Sequence, residues 1–206
     1  MKIEDQKAIA DELLAKIELI DKNTILAGGA PRDWWAGVEA NDLDFYLYFT
    51  PENGVEHTRR TLEFLTGIEL KYLGADGDYE GGMKELKAVL DGTYKGQKVQ
   101  FMLMNKPTSS CVIPHFGAST SMVWYKGKRV TTSPEFLISL AKKTLYIKTG
   151  TKQAFIDKTV LKYNRLTVEI VDSIDKAVWE AGKGIHIWEL VHDELRKLLR
   201  SFRGNI

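Results

Sequence analysis

Cysteine is nearly absent from this sequence. The single thiol, Cys111, excludes any intrachain disulfide, so the fold must be held by its core. One thiol fits a reducing compartment without requiring one. Long apolar runs are missing as well: none approaches the ~20 residues that span a bilayer. The N-terminal stretch MKIEDQKAIADELL is acidic and helix-like and carries no signal-peptide apolar core. A cytoplasmic protein with no membrane partner is therefore expected. An excess of one charge is also lacking. The 29 Lys and Arg against 28 Asp and Glu leave a net +1, which excludes bulk electrostatic capture of nucleic acid but permits a local basic face. Internal repeats and low-complexity tracts are absent. What remains is 206 residues, 44% apolar and 28% charged, enough for one ordinary domain or two small ones.

Hydrophobic spacing organises the chain. Ile9, Leu13, Ile17 and Ile20 recur at helical intervals, which predicts an amphipathic helix over 4–20. Thr24 to Ala27 is a short apolar run stopped by Gly28-Gly29, which predicts a buried strand. Pro31 suits the first turn of a short helix over 32–36, with Gly37 as its stop. Leu43 to Phe49 predicts an aromatic-rich strand, 55–65 a helix and 68–73 a strand. Residues 74–82, GADGDYEGG, read as an acidic loop. Two strands near 86–93 and 97–104 follow, then a hairpin over 120–132 with Lys126-Gly127-Lys128 at its tip. Ser133-Pro134-Glu135 starts a helix. Residues 152–181 and 185–203 read as helical, broken at Gly182-Lys183-Gly184. Mixed α and β thus precede a nearly all-α end. A boundary near Pro114 to Gly117 divides a core over 1–116 from a hairpin and helical region over 117–206.

The stretch LAGGAPRDWWAGVEANDLDFYLYF, residues 26–49, concentrates the chemistry. Asp42 and Asp44 are two apart on a strand, so both point to one face while Leu43 and Phe45 turn to the core. Two carboxylates a few Å apart repel, and a divalent cation such as Mg²⁺, which takes one or two carboxylates plus phosphate oxygens, removes the conflict. Gly28-Gly29 lies between a strand and a helix, where backbone N–H groups can approach a triphosphate and the helix start adds positive charge. Arg32 adds a fixed cation in the first turn. An isolated Asp-x-Asp or Gly-Gly is commonplace. Their shared register is what makes a metal–nucleotide site specific here.

Gly28, Gly29, Arg32, Asp33, Gly37, Asp42 and Asp44 carry a family resemblance. Gly-Gly, two residues, Arg-Asp, three residues, Gly, four residues and Asp-x-Asp resembles the motif of DNA polymerase β-like nucleotidyltransferases. The version here is most similar to the head domain of CCA-adding enzymes and bacterial poly(A) polymerases. The resemblance covers about 24 residues. It implies an α+β fold, a mixed sheet with flanking helices, plus a small helical C-terminal region. It implies that Asp42 and Asp44 bind Mg²⁺ or Mn²⁺ and carry catalysis, and that Gly28, Gly29 and Arg32 contact a nucleoside triphosphate. Asp33 is expected to orient the turn or Arg32. The implied activity is transfer of a nucleoside monophosphate to an acceptor hydroxyl, first an RNA or tRNA 3′ end, with release of pyrophosphate. A protein or small-molecule acceptor is the alternative, as is a degenerate fold that binds a nucleotide or partner without turnover.

Two departures matter. The long helical neck, body and tail of CCA-adding enzymes, and their template motif, have no counterpart in the remaining residues. In size the chain resembles the small stand-alone nucleotidyltransferase-like proteins of phages and mobile elements, with KVQFML (98–103) and LKYNRL (161–166) carrying that likeness. Gln100 also stands where many superfamily members have a third carboxylate, with Asp91 a weak substitute. Lys158 and Lys162 are four apart on one helical face and are expected to reach a triphosphate. Lys142, Lys143, Lys148 and Lys152 are a candidate RNA-facing cluster. Trp34 and Trp35 are expected to point one inward and one toward the cleft, and Trp179 and Trp188 to pack between the last helices.

Overall fold

A computed structural model describes residues 1–48, 54–74, 85–105, 112–190 and 192–202. Most of the predicted acidic loop 74–82, as well as Phe49 and Cys111, lies outside the described residues. Seven helices among them surround a mixed sheet, the expected α+β class. The chain runs α1 (Ile3–Ile17), β1 (Ile25–Ala27), α2 (Gly29–Trp35), β2 (Asp42–Tyr48), α3 (Gly54–Thr66), β3 (Lys71–Gly74), β4 (Leu86–Tyr94) and β5 (Gln97–Met104). Then come β6 (Val123–Lys126), β7 (Arg129–Thr132), α4 (Pro134–Lys142), β8 (Thr144–Lys148), α5 (Gln153–Lys162), β9 (Thr167–Val171), α6 (Ile174–Ala181) and α7 (His192–Phe202).

The main sheet has the order β3-β4-β5-β2-β1-β6-β7. Only β2 and β5 are parallel; the other neighbours are antiparallel. The hairpin β6–β7, which follows residue 116 in the chain, joins this sheet through β1. Strand alternation separates its two faces. Leu26, Leu43, Phe45, Leu47 and Phe101 meet Ile9, Leu13 and Ile17 of α1 and Leu62 of α3. Ile25, Ala27, Tyr46 and Met102 face the other way, toward Ile138 of α4 and Val178 of α6. Asp42 and Asp44 share the parity of Tyr46, so they open on this second face.

The loop before Asp42 is tied down by a buried glutamine on α1. Gln6 Nε2 donates to the Ala40 carbonyl at 2.6 Å and to Gln97 Oε1 at 2.9 Å. Its Oε1 accepts from Trp34 Nε1 and from the Ala40 backbone N–H, both at 2.9 Å. Gln97 Nε2 in turn donates to the Asn41 carbonyl at 2.8 Å. One α1 side chain therefore links the end of α2, the start of β2 and the start of β5.

The structure corrects several expectations. Residues 152–181 are not one helical stretch. β9 interrupts them and pairs in parallel with β8, so β8–α5–β9 is a βαβ unit of its own. The β-branched run Thr167, Val168, Ile170 and Val171 favours a strand, and five residues are too few to display it against the helices on either side. Both Trp34 and Trp35 are buried. Trp34 packs edge-on to Tyr125 and Trp35 edge-on to Phe136, so neither faces the predicted cleft. Trp179 and Trp188 are 73% and 82% exposed rather than packed. Lys143 caps α4 and Lys148 ends β8, so the strand separates these two lysines by roughly 16 Å at a strand's rise. Among the described residues no helix is long and apolar enough to cross a membrane.

Candidate active site

Gly28 follows β1 with φ 86° and ψ −121°, a conformation that only glycine adopts without strain. Its N–H donates to the Val123 carbonyl of β6 at 2.8 Å, which anchors the turn to the sheet. Gly29 opens α2. A Cβ at Gly29 would stand 3.7 Å from Arg32 Nη2, toward the cleft. The turn thus exposes backbone rather than side chain at the helix start, where partial positive charge gathers.

Arg32 and Asp33 are both buried, and Arg32 Nε donates to Asp33 Oδ1 at 2.9 Å. Helix α5 closes over this pair. Lys162 Nζ lies 3.8 Å from Asp33 Oδ2, and the Arg32 guanidinium sits 5.5 Å from the centre of the Tyr163 ring. Burial by itself favours a neutral Arg32, but Tyr163, Asp33 and Asp42 outweigh it and hold its pKa above the ordinary range. Arg32 is therefore a permanent cation at the floor of the cleft.

Asp42 and Asp44 project from β2 beside this cation. Asp44 is half-buried, and its Oδ1 is shielded from water with no hydrogen-bond donor among the described residues. Burial first, then the charge of Asp42, pushes the Asp44 carboxyl up to about 8; Lys98, Lys158 and Arg32 oppose the rise. On the parallel neighbour β5, Lys98 stands opposite Asp42 and Gln100 opposite Asp44. Gln100 Nε2 donates to Asp91 Oδ1 at 2.9 Å, and Lys98 Nζ is 3.4 Å from the same oxygen. Asp91 is thus engaged with its own strand neighbours. Among the described residues no group of three or more His, Cys, Asp and Glu is placed to hold a metal. The available ligands are the two carboxylates, oxygen donors of the kind hard cations take.

The seven residues expected to meet metal or triphosphate line one cleft of about 500 Å³: Gly28, Gly29, Arg32, Asp42, Asp44, Lys158 and Lys162, whereas Gly37 of the motif does not. Sheet and α2 supply the acidic pair and the turn, and α5 supplies the lysines. The sequence reading missed Lys98, Phe116 and Phe155, which also line the cleft. Lys98 was accessible to it, being two residues from Gln100 on one strand and so on the same face. Phe116 and Phe155 carry no local signal, because tertiary folding alone brings them there.

No family model matches this chain, and no curated protein matches it. Solved structures do. The chain is similar to the Thermotoga maritima CCA-adding enzyme complexed with tRNA, at 12% identity and a TM-score of 0.51, over 95% of this chain and 47% of that one. It is also similar to a tRNA-processing enzyme in an apo form, at 14% identity and a TM-score of 0.50, over 97% of this chain and 57% of that one. The chain thus spans about half the length of the structures it matches. At these identities the likeness establishes a shared architecture, and the fold of this chain is nucleotidyltransferase-like.

Proposed function

We propose that this protein is a metal-dependent nucleotidyltransferase that moves a nucleoside monophosphate from a nucleoside triphosphate to an acceptor hydroxyl, foremost an RNA 3′ end. The observation that carries the proposal is the buried Asp44 oxygen beside Asp42, which meets no donor among the described residues, in one cleft with the Gly28-Gly29 turn and four cations, Arg32, Lys98, Lys158 and Lys162. A buried carboxylate oxygen without a partner is costly unless something positive meets it. The carboxylate pair fits Mg²⁺ or Mn²⁺, which leave their other positions to phosphate and water. When bound, such a cation neutralises charge on the phosphate oxygens.

The chain's own groups do the rest. Gly28 and Gly29 present backbone to the triphosphate, Arg32 holds positive charge beneath it, and Lys158 and Lys162 approach from α5. The acceptor oxygen bonds the α-phosphorus, the bond to the oxygen bridging toward the β-phosphorus breaks, the hydroxyl proton passes to solvent, and pyrophosphate leaves. Residues 1–116 form the catalytic core in this account, and 117–206 bring the hairpin and α5. The RNA acceptor is supported by the motif's resemblance to RNA-extending enzymes and by the tRNA in the Thermotoga maritima complex.

Gln100 favours a second reading, a fold that binds nucleotide without turnover. It is neutral, and its amide is given to Asp91. Incubation with α-labelled triphosphates, Mg²⁺ and either RNA, cell lysate or small hydroxyl compounds decides between them. Label entering RNA, lost in Asp42→Asn plus Asp44→Asn, is the expected result. Label entering only protein or a small product would replace the acceptor. Mg²⁺-dependent nucleotide binding with no pyrophosphate released from any acceptor would establish the binding module.

A further inference from the structure

The cleft is not the molecule's only concavity. A second groove of about 710 Å³ lies at the opposite end of α2, between the β6–β7 turn, the last turn of α2 and helix α7. Its charge is unlike that of the chain. Lys7, Lys128, Arg129, Arg196 and Arg200 line it against one carboxylate, Asp193. The groove therefore holds +4 in a chain whose total is +1. Asp193 is spoken for by Arg196 at 2.9 Å, and the Arg196 guanidinium is also held 5.2 Å from the centre of the buried Trp35 ring. Lys7, Lys128, Arg129 and Arg200 make no ion pair among the described residues. Like charges gathered without counter-charges repel, and a polyanion relieves that repulsion.

We infer that this groove binds the phosphate backbone of a polynucleotide. The choice of a polynucleotide over another polyanion rests on the RNA-acceptor proposal above; the charge argument does not. Position supports it. Gly29 and Arg32, at the start of α2, line the cleft, and Trp35 and Ala36, at its end, line the groove. Seven helical residues span about 10 Å, a distance that a few nucleotides of a strand can bridge. A strand ending in the cleft thus places phosphates a few nucleotides back at the groove. The contacts are to backbone charge, so they carry no base preference. Its cations are carried on the β6–β7 hairpin, whose two-residue turn has Gly127 and Lys128 both at positive φ, and on α1 and α7.

The test measures binding of a fluorescein-labelled RNA oligonucleotide to the full chain by anisotropy, without nucleotide, across a salt series. Lys128→Asn plus Arg129→Gln is the principal variant. Both residues are exposed, and asparagine accepts the positive φ of Lys128 more readily than lysine does. Arg200→Gln is a second, independent variant on α7. The double variant is expected to weaken RNA binding about tenfold at low salt, and each removed cation to flatten the log–log salt slope by ~0.7. The same losses are expected in an Asp42→Asn plus Asp44→Asn background, so a failure of transfer chemistry leaves this result standing. RNA affinity and salt slope unchanged in both groove variants would overturn the inference, even if label enters RNA. Groove-dependent binding of labelled polyglutamate with no groove-dependent binding of RNA would overturn it too, in favour of an acidic protein partner.

Discussion

Gln100 stands directly across the parallel β2–β5 pair from Asp44, with its amide turned to Asp91 rather than to the aspartate. A carboxylate at this position would add a third acidic group on the strand next to Asp44. Gln100→Glu is expected to tighten Mn²⁺ and Mg²⁺ binding by calorimetry and to lower the melting temperature of the metal-free protein, because a third negative charge joins Asp42 and Asp44. Unchanged metal affinity would show that β5 does not face the cation.

Stability of the metal-free protein should depend on pH with a definite sign. Asp44 titrates near 8 in the fold against an ordinary value of 3.8, owing to burial and then Asp42. The folded state therefore holds its proton more tightly than the unfolded chain. The stability it contributes is complete below about 3.8 and is lost as pH rises to about 8. Thermal melts in chelator are expected to fall across that window and to fall less in Asp44→Asn. Mg²⁺ should restore the loss at the alkaline end. A wild-type profile that matches Asp44→Asn, with and without chelator, would refute the assignment.

The two glycines of the turn should behave differently. Gly28→Ala forces an L residue into φ 86°, which costs about 1–3 kcal/mol and displaces the turn. Gly29 is helical, and a Cβ there meets only Arg32 Nη2 at 3.7 Å, so Gly29→Ala is expected to change stability by no more than ~0.5 kcal/mol. Both variants should bind triphosphate more weakly, the first with a lower melting temperature and the second without. Denaturant melts paired with nucleotide titrations distinguish them.

Gln6 carries a structural load out of proportion to its exposed-looking sequence context. Gln6→Ala strands the Trp34 indole N–H and the Ala40 N–H in the interior and frees the loop before Asp42. A loss of about 3 kcal/mol is expected, seen as a fall in melting temperature of about 6–12 °C. A change below ~1 kcal/mol would mean that water replaces the amide without penalty.

Those examples mark what the sequence disclosed. The Gly28 to Asp44 stretch was legible because one register places a tight turn, a cation and two same-face carboxylates within a single strand–helix–strand segment. The main-sheet strands were legible because their apolar runs are long or bounded by turns. β8 and β9 were not, since five residues give either period too little room, and their partner is another hidden strand. Gln6 looked like one polar residue among many on an amphipathic helix; only the fold reveals that Ala40, Gln97 and Trp34 converge on it. The basic groove escaped for the same reason, because Lys7, Lys128 and Arg200 come from three distant parts of the chain.

The division of the cleft between the β2 carboxylates and the α5 lysines bears on how the molecule is made. A ribosome delivers Asp42 and Asp44 well before Lys158 and Lys162 exist. Until the βαβ unit is complete, the nascent chain carries its acidic half without the cations of α5. Closure of the cleft therefore follows synthesis of the main sheet, because all seven of its strands precede α5 in the chain, and a chain cut short before α5 would have no roof over the site.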